Sequence, residues 1–185
     1  MKLLLLSIVA TCVASCVTIA APSDSVHVMN HEFGLSVSSI TGFGLSYKYN
    51  IDNQFYIKAI GYALPDNSAN RSQLNTSIGG ELQMNFVRTQ NTRFYGFAGA
   101  SFQSNNYEYT STYNGNTTTD FTTDETTNYG AGFGFELAVW EHFTVSAMLG
   151  MQSANVTLFS IWHDTSYYPS SRTGIGGGIG FGYQF

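Results

Sequence analysis

Trp162-His163-Asp164, followed by Ser166, Ser170 and Ser171, contains every side-chain type that a serine hydrolase uses. That chemistry needs an imidazole within hydrogen-bond reach of the hydroxyl and an acid to orient it. A serine-rich stretch supplies the same types by composition alone, so a rim hydrolase built on His163 stands only as the alternative to a non-enzymatic reading. A second set of reactive residues is more regularly placed. Glu32, Lys48, Lys58, Glu81, Glu136 and Arg172 all fall on the face opposite an apolar one and are interleaved with Gly, Ser, Asn and Gln. Three acids and three bases on one enclosed face predict an ionic plug in which each buried charge is paired. The alternative is a narrow conduit along the same charges, as in a small pore. Asp120, Asp124 and Glu125 match no calcium-loop spacing. Both cysteines, Cys12 and Cys16, lie near the N-terminus, which leaves no thiolate site further on. No metal and no cofactor is therefore expected, and no catalytic residue is assigned. The glycines of 130–134 and 174–182 look like nucleotide loops only superficially. They alternate within apolar runs instead of joining a strand to a helix.

The elements that must carry these residues are strands. In residues 172–185, RTGIGGGIGFGYQF, Ile175, Ile179, Phe181, Tyr183 and Phe185 fall on one face and Arg172, five glycines and Gln184 on the other, because strand side chains alternate with period two. A soluble sheet normally sets charged residues opposite its apolar face. A bare glycine face suits instead a narrow, filled lumen, with the apolar face toward lipid. The same alternation and turn chemistry predict eight strands, near Glu32–Ser38, Gly42–Asn50, Gln54–Leu64, Leu74–Arg88, Arg93–Asn105, Asn128–Val139, Phe143–Val156 and Arg172–Phe185. The fifth is ambiguous, since Phe94 and Phe102 oppose Tyr95 and Phe97. The connections 65–72, 107–127 and 162–171 read as polar loops, and Tyr107–Thr127, rich in Thr, Asn and Asp, as a mobile one. Short turns alternate with these longer connections, as in outer-membrane barrels with periplasmic turns and outer loops. The Ser39–Thr41 connection is the exception, an outer loop that is tight.

Composition agrees. Charged residues are 10% of the chain and aromatics 15%, with 19 Gly and 3 Pro, against a usual charged share of about 25%. The 7 basic and 12 acidic residues become six against twelve once Lys2 is removed, a balance of −6, which argues against nucleic acid. Residues 1–21 read as an export signal: Lys2, an apolar run from Leu3 to about Ala14, then small residues at Ala20 and Ala21. A lipoprotein reading competes, with Val13-Ala14-Ser15-Cys16 as a lipobox and Cys16 as the lipidated residue. Residues 22–31 form a short lead segment and 32–185 the barrel. After the signal no apolar run approaches the roughly 20 residues a spanning helix needs, so a membrane-crossing chain must close its strands into a barrel. A soluble secreted barrel is the other fold reading.

With Phe181-Gly182-Tyr183-Gln184-Phe185 at one end and FGLSVSSITGFGLSYKY over Phe33–Tyr49 at the other, the chain resembles the small outer-membrane β-barrel proteins of the OmpA/OmpX-like class over roughly Glu32–Phe185. It lacks the periplasmic peptidoglycan-binding domain of OmpA itself. The resemblance implies an eight-stranded antiparallel up-and-down transmembrane barrel in a bacterial outer membrane, both termini periplasmic, with lipid as its surroundings. It also implies that Ile179, Phe181, Tyr183 and Phe185 are read by the barrel assembly machinery. The class includes adhesins, structural proteins, narrow pores and lipid-modifying enzymes, so the resemblance leaves the activity open. The expected role is structural, with surface interaction through the outer segments and a ligand, if any, met by Tyr107–Thr127.

Overall fold

The period-two alternation becomes eight antiparallel strands in a computed structural model that describes residues 30–68, 71–113, 116–162 and 164–185. They are β1 (His31–Ser38), β2 (Gly42–Asn50), β3 (Phe55–Ser68), β4 (Arg71–Arg88), β5 (Thr92–Tyr113), β6 (Asn116–Ala138), β7 (Phe143–Trp162) and β8 (Asp164–Gln184). Each pairs with the next, and β8 returns to β1 with Glu32–Ser38 opposite Gly178–Gln184, closing the ring. The chain is therefore all-β, an eight-stranded antiparallel up-and-down barrel. Residues 1–29, where the sequence predicts an export signal and where Cys16 falls, lie outside the described residues.

The apolar faces point outward. Leu35, Ile78, Phe133, Leu149, Ile175 and Phe181 are all more than half exposed, whereas their sequence neighbours of opposite phase fill the interior. The ambiguity of β5 resolves by the same rule: Phe94 and Phe102 are outside, Tyr95 and Phe97 inside and buried. The pairing of β4 with β5 shifts register between Asn85 and Val87. At that irregularity the Phe86 ring lies where a side chain on Gly96 would go and packs against Phe94 and Phe133. A neighbouring ring thus covers an outward glycine, which is why β5 looks weakly amphipathic in sequence.

The outer connections differ from expectation. Within 65–72, 107–127 and 162–171 the described residues are not loops but the ends of long strands, paired as far as Ser68↔Arg71, Tyr113↔Asn116 and Trp162↔Asp164. Thr and Tyr favour extended backbone, and Asn114-Gly115 is the pair that a two-residue hairpin connection prefers. Polarity without apolar alternation hid these strands. Pro65 is accommodated because β3 pairs with β2 only as far as Gly61 and beyond it has β4 alone. The asymmetry of the two barrel ends thus lies in strand length, not loop length. At the opposite end the connections are tight. Asp52 Oδ1, for example, accepts from the backbone N–H groups of Gln54 (2.8 Å) and Phe55 (2.7 Å).

Candidate functional site

The lumen is built in layers. In the layer nearest the chain termini, Glu32 (β1), Lys48 (β2) and Glu136 (β6) meet: Lys48 Nζ lies 2.7 Å from Glu32 Oε2 and 2.6 Å from Glu136 Oε2. Arg93, on β5, completes the group at 2.9 Å from Glu136 Oε2. Its guanidinium also donates to Gln83 Oε1 (2.6 Å) and Asn85 Oδ1 (3.3 Å), and Gln83 in turn donates to Glu81 Oε1 at 2.6 Å. Glu32 Oε2 accepts from Thr144 on β7 (3.0 Å) and Gln184 on β8 (3.1 Å). Tyr56 on β3 receives a hydrogen bond from Arg88 and holds its ring 4.2 Å from Arg93 Cζ, with Tyr95 at 4.5 Å on the guanidinium as well. One connected network thus touches all eight strands. Charges removed from water persist only when paired and hydrogen-bonded. Glu32, Lys48, Arg93 and Glu136 are paired, whereas Glu81 is held by Gln83, and Glu81 Oε2 and Arg93 Nε have no hydrogen-bond partner among the described residues.

Lys58 and Glu81 stand directly opposite each other on β3 and β4. Lys58 Nζ donates to Ser36 at 3.1 Å. Arg172 lies elsewhere, exposed part-way along β8 opposite Ala154, on the inward phase. Among the described residues the buried charges are therefore Glu32, Glu81 and Glu136 with Lys48, Lys58 and Arg93, three of each sign, with Arg93 in the place expected of Arg172. Arg93 was missed because the face of β5 was ambiguous. Its phase with Tyr95, Phe97 and Ser101 was the available signal.

Above the ionic layer comes an apolar one. Ile40, Tyr95, Phe97 and Met148 form a buried cluster. Ile40 belongs to the connection between β1 and β2, the two shortest strands, which folds inward across the barrel mouth. Gly42, at φ 86°, permits the turn. Ser38 Oγ accepts from the N–H groups of Ile40 (3.1 Å) and Thr41 (3.2 Å). On one side Ser39 N donates to Gly177 O at 3.0 Å; on the other Ser101 Oγ donates to Ile40 O at 3.0 Å. Ile40 and Thr41 are completely buried. The inward-facing glycines make room for them. A side chain at Gly79 or Gly99 would collide with Thr41, and one at Gly130 or Gly176 would crowd Ile40.

Beyond this turn β3 to β8 continue as a six-stranded wall. Its outward residues change from apolar to polar along each strand: Met151 gives way to Ser153 and Asn155, Tyr129 to Thr127 and Glu125, and Ile175 to Thr173 and Ser171. Leu74 and Phe121 are outward exceptions, lining with Glu108 a cleft of about 240 Å³ on β4–β6. Ile179, Phe181, Tyr183 and Phe185 all lie outward and exposed along β8 and its end. His31 and His142 sit at the end of the barrel with the termini, His31 stacked on Phe185 and His142 on Tyr183. His163 lies outside the described residues. Among the described residues no three His, Cys, Asp or Glu side chains group as metal ligands.

No protein-family model and no curated protein sequence matches the chain. Among solved structures it is similar to Acinetobacter baumannii CarO2 (11% identity, 85% of this chain and 99% of that one, TM-score 0.41). It is also similar to Acinetobacter baumannii CarO (10% identity, 88% and 100%, TM-score 0.39). A third is Ail, the attachment invasion locus protein of Yersinia pestis (14% identity, 84% and 97%, TM-score 0.39). The likeness is one of shape, at identities too low to bring any role with it.

Proposed function

We propose that this chain is a bacterial outer-membrane barrel with a closed lumen, and that its work is done by the wall projecting beyond the membrane. In this reading the apolar belt meets lipid, both termini are periplasmic, and Ile179 to Phe185 present the outward signal that the assembly machinery engages. The observation that carries the reading is the change of the outward face along each long strand, from apolar to Thr, Ser and Asn, while the strands stay paired. Such a wall is rigid and wetted, suited to holding a partner away from the lipid surface. Its longest part is the β5–β6 hairpin, which passes beyond its neighbours: β4 pairs with β5 only to Tyr109, and β7 with β6 only to Thr122. The cleft at Leu74 and Phe121 offers apolar contact at its base. No catalytic role is assigned. The conduit alternative finds no support in a lumen crossed by a paired ionic layer and then by Ile40, Phe97 and Met148.

The test replaces residues 110–119 with Asn-Gly, joining the paired Tyr109 and Asp120. The shortened chain is expected in the outer-membrane fraction, with the heat-dependent gel migration of a folded barrel. Cells displaying it should bind protein-coated surfaces several-fold less than cells displaying the full chain. Equal binding, or full-chain cells binding no better than cells without the protein, would reject the surface role. Recovery from the soluble periplasm would reject the membrane assignment.

A further inference from the structure

The long wall and the inward turn together enclose a cup. Its floor is the Ile40–Thr41 turn, and its sides are the inner faces of β4 to β8 beyond that level. The inner faces carry Asn75, Gln103, Asn105, Thr126, Asn128 and Gln152 by strand phase. These are amides or hydroxyls, groups that donate and accept hydrogen bonds without charge; Tyr107 on β5 and Ala154 and Val156 on β7 share the inward phase. The charged side chains described on this surface are Asp124 and Arg172, one of each sign. Around the floor, Thr41 Oγ1, Ser77 Oγ and Gln152 Oε1 are buried and have no hydrogen-bond partner among the described residues. Thr41 is completely buried and Ser77 is 3% exposed. Buried polar atoms without partners are uncommon and are met by water or by a ligand. The cup is also open. A side chain added at Gly174, opposite Gln152 on the inward phase, would meet nothing within 4 Å, whereas Gly176, one step deeper, is filled by Gln152 and Ile40.

We propose that this cup is a binding site for a neutral, hydroxyl-rich ligand, an uncharged oligosaccharide. Uncharged amides and hydroxyls on several strands match a ligand whose surface is itself mostly hydroxyl. The near absence of net charge disfavours acidic sugars, and the predominance of amides and hydroxyls over the apolar Ala154 and Val156 of the same inward phase disfavours the apolar side chains of a peptide. The site rests on the outward-display reading only in needing its mouth to face the exterior. It does not need the tip of the β5–β6 hairpin.

The experiment uses the full chain extracted from membranes and titrated with cello-, malto- and chito-hexaose, a sulfated hexasaccharide and an extended peptide, followed by saturation-transfer NMR. At least one neutral hexaose is expected to bind. Gly174→Trp, which projects a ring into the open space, should weaken that binding at least tenfold. Thr173→Trp, on the outward face of the same strand, should leave it within twofold. Gln152→Ala is the second inward variant should Gly174→Trp lose the gel shift of a folded barrel, and it should weaken binding at least threefold. Binding of none of the neutral hexaoses, preference for the sulfated sugar or the peptide, or indifference to the inward variants would overturn the proposal. The chain with residues 110–119 replaced should still bind the sugar. Loss of surface attachment with sugar binding intact leaves the cup standing, and the reverse pattern removes the cup while leaving the hairpin role.

Discussion

Arg93 sits between two tyrosine rings with its terminal nitrogens shared among Glu136, Gln83 and Asn85. Replacing it with Met leaves Glu136 with Lys48 as its cationic partner and strands two amide oxygens. Breaking a buried pair from one side costs about 3 kcal/mol, so Arg93→Met should lower the unfolding free energy by about that much in urea titrations of micelle-bound protein. The double variant Arg93→Met with Glu136→Gln should lose clearly less than the sum of the two single losses, because the two groups share one contact. Simple additivity would contradict the network. Five of the six buried charges were legible from phase alone, since Glu32, Lys48, Lys58, Glu81 and Glu136 lie on strands whose two faces differ plainly. Arg93 was not, because Gly96, Ala98 and Ala100 hide the outward face of its strand. Arg172 was placed inward by the same phase rule, but phase says nothing of depth, and the residue lies beyond the turn that floors the cup.

At the scale of elements, the β1–β2 connection decides whether the barrel has a passage. Two independent layers lie across the lumen, one ionic and one apolar, and only the second includes this turn. Planar-bilayer recordings of the wild type should therefore show no discrete current steps. Ile40→Gly should stay silent as well, since Lys48, Glu136 and Arg93 remain beneath it. Steps in either protein would refute the closed lumen. The tightness of this connection was plain in the sequence, but its inward fold was not. That fold depends on glycines of four other strands, Gly79, Gly99, Gly130 and Gly176, whose convergence on Ile40 and Thr41 exists only after closure. The opposite error affected β5 and β6. Polar residues paired with polar residues leave no apolar period to read, so a hairpin held by backbone hydrogen bonds resembled a loop.

Across the whole molecule the proposed membrane setting makes the apolar belt the part that sets the position in the bilayer. On β7 the outward series Phe143 to Met151 covers eight residue steps. At about 3.4 Å per step and a tilt of about 40° these give roughly 20 Å of height. Ala147 is the midpoint. Ala147→Arg should cost about 2–4 kcal/mol, the penalty for a cation facing lipid at the midplane, while Asn155→Arg, outward on the same strand above the belt, should cost no more than about 1 kcal/mol. Equal costs, measured by urea unfolding in lipid vesicles, would mean that the belt does not meet lipid. Strand count, direction and the outward apolar face are readable from period two because that period is shared by every strand of the apolar belt.

The first strand acquires its second neighbour from residues 178–184. Until that stretch is available, β1 has a naked border, as does β7 over residues 143–148, and the remaining pairings cannot become a cylinder. A chain cut before Gly178 would lack both the pairing with β1 and the pairing of residues 178–183 with 143–148 of β7, and would be left as a sheet open along that length, free to join the border of a second such molecule.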